Sequence, residues 1–170
     1  MIKPIVAGII AAMLVVGGSH LASALSGGAH DYPEARSYAV SDNEPADVDA
    51  ALLRASQNDK RVLLVMGANW CHDSRALAGW LETPRIAALV DAKYELVFVN
   101  IGIPQRGDGH NLGIARRFGV DDLPGTPNLL VLTADGELVN ADTATTWRNA
   151  ASRSEADIYD ELAMLATRAF

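Results

Sequence analysis

The chain has 170 residues, 49% hydrophobic and 21% charged, the balance of one globular domain with an extension rather than of a disordered polymer. Its net charge of −7 argues against nucleic-acid binding, which needs basic patches to meet phosphates. One cysteine, Cys71, excludes an intramolecular disulfide and a cysteine-rich zinc site.

Residues 1–24 read as an address rather than as fold. Lys3 gives a short positive start, Ile5 to Gly18 is an uncharged, mostly apolar run, and Ala22-Ser23-Ala24 supplies the small-x-small pattern that signal peptidase accepts. The run is shorter than the roughly 20 apolar residues of a membrane span. A cleaved signal peptide is expected, with a retained N-terminal anchor as the alternative, because Ile5 to Leu25 carries no Lys, Arg, Asp or Glu. The expected location is periplasmic or otherwise exported, with membrane contact only if the segment is retained. Residues 25–45 are rich in Gly, Ser, Ala, Pro and Asp and read as a linker with a short extended piece around Tyr38 to Val40. A domain is expected over 46–170.

Within that domain, Val48, Leu52 and Leu53 among alanines predict an amphipathic helix over 47–58. Val62 to Met66 is a continuous apolar run closed by Gly67, the pattern of a strand buried on both faces. Ala68-Asn69-Trp70-Cys71 follows, and then a helix over 72–81. Thr83-Pro84 interrupts it, and helical character resumes over 85–90. Tyr94 to Ile101 is a second buried strand, and 102–110 a polar loop with Pro104, Gly107 and Gly109. Asn111 to Phe118 predicts a short helix capped near Asn111 and ended by Gly119. Asn128 to Thr133 is a third strand, and Asp135-Gly136 a turn from which Glu137 to Val139 pairs back as a fourth. Residues 141–153 carry no clear period. Ser154 to Ala169 is a final helix with Ile158, Leu162 and Leu165 on one face. The order predicts an α/β fold, a mixed central sheet flanked by helices on both faces.

These residues resemble the thioredoxin family. A buried strand leads into Trp70-Cys71, and Gly119-Val120 leads to Gly125-Thr126-Pro127, the strand 128–133 and the Asp135-Gly136 turn. The resemblance covers about 46–170 and implies the thioredoxin fold with a cis Thr126–Pro127 bond. Two positions depart from the family pattern: Ser74 stands where the second cysteine would be, making a monothiol CxxS motif, and Val65 stands where a buried acid would be.

The chemistry expected of the site follows from Cys71 at a helix start, where free backbone N–H groups favour an anion. His72 and Arg75 are the expected modulators of its ionisation, with Asp73 opposing them. Ser74 is expected to donate a hydrogen bond to the sulfur, and Trp70, Thr126 and Pro127 to meet substrate. A single accessible thiolate forms a mixed disulfide but needs an external thiol to be released. The expected function is therefore an exported monothiol thiol–disulfide oxidoreductase or isomerase. Its partners would be protein or peptide thiols and disulfides, with glutathione or another external thiol as co-substrate and no other cofactor. The alternative is a redox-inactive module that uses the same surface to hold peptides or a partner. No metal is expected, since His72 and Asp73 lack a further ligand nearby. His110 reads as a solvated loop residue, Trp80 as core, and Trp147 as uninformative.

Overall fold

The computed structural model describes residues 31–169. The predicted address 1–24 lies outside them, as does the first part of the predicted linker.

Ten elements follow in chain order: α1 (Glu44–Asn58), β1 (Arg61–Gly67), α2 (His72–Leu81), α3 (Pro84–Lys93), β2 (Tyr94–Asn100), β3 (Gly102–Ile103), β4 (Asp108–Gly109), α4 (Leu112–Arg117), β5 (Asn128–Leu132) and α5 (Glu155–Leu165). The central sheet has the order β2-β1-β5, with β1 parallel to β2 and antiparallel to β5. Its middle strand explains the unbroken apolar run. Val62, Leu64 and Met66 face one cluster with Val48, Ala51 and Ala55 of α1 and Ile114 and Ala115 of α4. Leu63 and Val65 face the other, with Leu77 of α2, Ile86 and Val90 of α3, and Ile158, Leu162 and Leu165 of α5. Both faces of β1 are therefore lipophilic and covered, and helices lie on both sides of a mixed sheet, as the sequence pattern predicts.

Local signals set the helix ends. The Asn43 side chain accepts the Ala46 N–H at 3.2 Å, and Pro45 lies in the first turn, so α1 starts three residues earlier than its apolar period suggests. Ser154 and Asp157 form a reciprocal capping box at the start of α5. That helix ends at Leu165, short of the expected Ala169.

Several expectations need correction. Glu137 to Val139 does not form a fourth strand; Leu132 and Leu138 make an isolated bridge. The outer edge of β5 is satisfied piecemeal instead. Val139 N–H donates to the Val131 carbonyl at 2.8 Å, Leu129 N–H donates to the Ala144 carbonyl at 2.9 Å, and the Asn140 amide spans the gap by accepting from Val131 N–H and donating to the Leu129 carbonyl. The loop 102–110 contains a minimal hairpin, β3 with β4, joined by a 3-10 turn over Pro104–Arg106. Asn111 precedes α4 but does not cap it: it sits at φ 58°, and its amide donates to Glu44 and to the Asn100 carbonyl.

The described part of the 25–45 segment is no tether. Tyr38 is fully buried, in edge-to-face contact with Phe98 at 5.2 Å between ring centroids. Ala35 N–H donates to the Arg75 carbonyl. The unassigned stretch 141–153 contributes Ala144, Trp147 and Ala150 to the core, with the Arg153 guanidinium over the Trp147 ring at 4.2 Å. Trp80 is half-buried against that same cluster.

Candidate functional site

The site forms where β1 ends and α2 begins. Cys71 is the N-cap residue of α2, with extended backbone and no side-chain cap, so the first N–H groups of the helix have no intrahelical partner. Its N–H donates to the Ala68 carbonyl at 3.1 Å, and its carbonyl accepts from Arg75 N–H, fixing the turn. Across from it, the loop before β5 brings in the Thr126–Pro127 bond, which is cis. Cys71 Sγ donates to the Thr126 carbonyl at 3.4 Å. Two segments 55 residues apart in sequence thus meet at one sulfur.

The thiol is not as open as its motif suggests. Cys71 is 8% exposed, because the Thr126 carbonyl covers it. Trp70 beside it is 51% exposed and is steadied by one bond, Nε1 to the Gly102 carbonyl at 2.9 Å. The apolar ring next to the sulfur is therefore free to meet another molecule.

The remaining predicted residues take other roles. Ser74 is fully buried, and its Oγ accepts the Ala68 N–H at 3.4 Å; no hydrogen bond joins it to Cys71. It points toward Gly67, where an added Cβ would lie 2.6 Å from Ser74 Oγ and 2.8 Å from the Tyr38 ring, so only glycine fits there. Arg75 makes no hydrogen bond to the sulfur, yet it lies near enough for the Cys71 charge to act on it. Its guanidinium pairs with Glu34 at 3.1 Å and donates to the Asn69 and Trp70 carbonyls, and the Glu34 carboxylate holds it more firmly protonated than usual. His72 is exposed and sits 3.0 Å from an Asp73 carboxylate oxygen. Asp73 is nearly buried, and its other oxygen accepts the Ala151 N–H at 2.9 Å, tying α2 to the 3-10 turn over Ala150–Ser152. Neither His72 nor Arg75 bonds to the sulfur. Thr126 and Pro127 lie at the site by backbone, not through the threonine hydroxyl.

Sequence reading missed the residues behind the cysteine. Tyr38 reaches under α2, and its hydroxyl donates to the Ser74 carbonyl at 3.3 Å; burial pushes the phenol well above its usual range. Asn69 grips the same segment twice, accepting from Tyr38 N–H and donating to the Tyr38 carbonyl, which also accepts from Asn100. The signal available was an aromatic residue, one of the two tyrosines Tyr32 and Tyr38, in a Gly, Ser, Pro and Asp-rich stretch. Val65 lies in the core beside Tyr38, so the pocket behind the site is closed by apolar and phenolic groups.

Among the described residues, no group of three or more His, Cys, Asp or Glu is placed to hold a metal ion, and no helix is long and apolar enough to cross a membrane.

Comparison with known proteins adds three findings. A family model described as thioredoxin-like matches residues 42–134. Among solved structures the chain is similar to a disulphide isomerase from Xylella fastidiosa Temecula1, at 30% sequence identity over 75% of this chain and 95% of that one, with a TM-score of 0.67. No curated protein matches.

Proposed function

The chain belongs to the thioredoxin-like family, and we propose that it carries out thiol–disulfide exchange of monothiol type through Cys71, as an exported protein. The observation that carries this reading is the sulfur itself: an uncapped helix start on one side, the cis Thr126–Pro127 backbone on the other, and Ser74 where a second thiol would resolve. The likeness to a disulphide isomerase supports the same class of chemistry. The charge-poor run at Ile5 to Gly18 before Ala22-Ser23-Ala24 supports export.

In the thiol state Sγ donates to the Thr126 carbonyl. The thiolate loses that bond and turns to the free N–H groups at the start of α2. It then attacks one sulfur of a substrate disulfide. The Cys71–substrate bond forms as the substrate's own bond breaks, and the departing sulfur leaves as a thiolate that takes a proton from water. Ser74 cannot attack the mixed disulfide. Release needs an external thiolate, from glutathione or a similar small thiol, which bonds to the substrate sulfur and frees Cys71. Alternatively the substrate's own freed thiolate attacks, and the disulfide is rearranged.

The test is the dependence of release on external thiol. A preformed disulfide between Cys71 and a peptide with a single cysteine should persist alone and decay at a rate proportional to added thiol. Decay independent of external thiol would overturn the monothiol reading.

A second reading has its own observation. The 8% exposure of Cys71 beside a 51% exposed Trp70 is what a redox-inactive peptide- or partner-binding module would present.

A further inference from the structure

The loop 101–111 leaves β2 at Asn100 and runs to Asn111, and one buried carboxylate holds both ends. Asn100 N–H donates to Glu44 Oε1 at 3.3 Å, and the Asn111 side-chain amide donates to Glu44 Oε2 and to the Asn100 carbonyl. Glu44 is the first residue of α1, preceded by the Asn43 cap and followed by Pro45, so the helix start sets its position. In that first turn the helix dipole also favours the negative charge. A carboxylate suits the place because two donors converge on it. It only accepts, whereas a glutamine there turns an N–H toward one of the two donors.

From this clamp the hydrogen bonds run on to the site. The Asn100 side chain accepts Gly102 N–H at 3.0 Å and donates to the Tyr38 carbonyl at 3.3 Å. The Gly102 carbonyl in turn accepts the Trp70 Nε1–H at 2.9 Å. Gly102 has a φ of 62°, and an added Cβ would lie 2.4 Å from the Asp108 carbonyl oxygen, so the loop fixes the direction of that carbonyl. A continuous path therefore leads from the buried acid through Asn100 and Gly102 to the exposed ring beside Cys71.

We propose that Glu44 is a positioning residue for the substrate surface: by clamping the loop at Asn100 and Asn111, it holds the Gly102 carbonyl where that carbonyl orients the Trp70 ring. The proposal rests on the reading that Trp70 meets the polypeptide whose cysteine bonds to Cys71. Glu44 bonds to neither Trp70 nor Cys71, so its effect is transmitted through the loop. It is felt by partners large enough to reach the ring. A small disulfide that meets only the sulfur should not sense it.

The experiment labels the full chain with 5-fluorotryptophan and reads Trp70, Trp80 and Trp147 by fluorine NMR, with Trp70→Phe assigning the site resonance. Glu44→Gln should shift or broaden the Trp70 resonance and leave those of Trp80 and Trp147 in place, since both belong to the core cluster on the other face of the sheet. Asn111→Gly, which suits the φ of 58° and removes one of the two donors, should do the same, and carries the test if Glu44→Gln does not fold. A Trp70 resonance that neither variant moves, or that moves only together with the other two, would overturn the proposal. Reactivity is the second readout, with a single-cysteine peptide activated as its thiopyridyl disulfide and with hydroxyethyl disulfide. Glu44→Gln should lower the peptide rate relative to the hydroxyethyl disulfide rate roughly fivefold, and should have no such effect in the Trp70→Phe background. An unchanged ratio, or a loss that persists undiminished in Trp70→Phe, also overturns it. If the wild type reacts with neither reagent, the monothiol reading fails, and the fluorine spectra alone decide the role of Glu44.

Discussion

Removing the Tyr38 side chain should cost the protein much of its stability, although Tyr38 lies in a stretch whose composition is that of a linker and outside the family-matched residues 42–134. Tyr38 is 1% exposed, packs edge-on against Phe98 and donates to the Ser74 carbonyl. Truncating a buried aromatic to alanine costs about 3–5 kcal/mol, a large share of the ~5–15 kcal/mol by which domains are stable. With a urea m value of about 2 kcal/mol per molar, the unfolding midpoint of Tyr38→Ala should fall by on the order of 2 M. Tyr38→Phe keeps the ring and loses one long hydrogen bond, about 1 kcal/mol or less. A chain starting at residue 42 should resemble Tyr38→Ala and lose slightly more, because the Glu34–Arg75 pair goes too; a partly exposed pair is worth about 0.2–1 kcal/mol. The assay is urea unfolding followed by far-ultraviolet circular dichroism, against a chain starting at residue 31. Equal midpoints for the chains starting at 31 and 42 would refute the reasoning and return the segment to the status of a tether.

Three further outcomes are expected. Asp73→Ala strands the Ala151 N–H at the α2 contact and should cost about 1–3 kcal/mol, read from the same urea curves. Glu44 is buried and accepts from the Asn100 N–H and the Asn111 amide, and burial raises its pKa above the ordinary 4.5. As pH rises from 4.5, the unfolded chain releases its proton before the folded one does, so the folded state binds more protons and stability falls up to the folded pKa. Stability measured between acid and neutral pH should show wild type losing ground to Glu44→Gln across that window and a constant difference above it. Ser74→Cys supplies a resolving thiol one turn from Cys71 and should shorten the life of Cys71–peptide disulfides in the absence of external thiol, seen by non-reducing electrophoresis. The gain should be partial, since Val65 is no base and Tyr38 crowds the same pocket.

Much of the fold was legible because its signals are local or periodic. The run Val62 to Met66 announces a strand covered on both sides, and Pro84, Ser154 and Gly119 punctuate helices where the structure ends or starts them. What was not legible depends on partners far away in sequence. Asn140 replaces a fourth strand by offering an amide to β5, and nothing in Glu137 to Val139 foretells that. Asn111 looks like a helix cap, but Glu44 and Asn100 take its side chain. Trp147 gives no period, because a turn rather than a helix or strand delivers it to the core.

The site divides in the same way. The meeting of Cys71 with Thr126–Pro127 follows from the motif pair, since the fold fixes that juxtaposition. The orientations of the flanking polar groups do not. Arg75 is held by Glu34 and reaches Cys71 only through its charge, Ser74 has the Ala68 N–H, and His72 has Asp73, so none of the three bonds to the sulfur. The Thr126 carbonyl that covers the thiol is a backbone group, invisible to any reading of residue types.

The most direct test of Cys71 as a nucleophile compares its rate of mixed-disulfide formation with oxidised glutathione in the native protein and in the urea-unfolded chain, at neutral pH, by intact mass, with Cys71→Ser as control. The expected result is an adduct on Cys71 that forms faster in the native protein than in the unfolded chain, is absent from Cys71→Ser, and is removed by added reduced glutathione. A native protein that stays unmodified while its unfolded chain reacts would contradict the exchange chemistry and leave the Trp70 and Pro127 surface as a binding site.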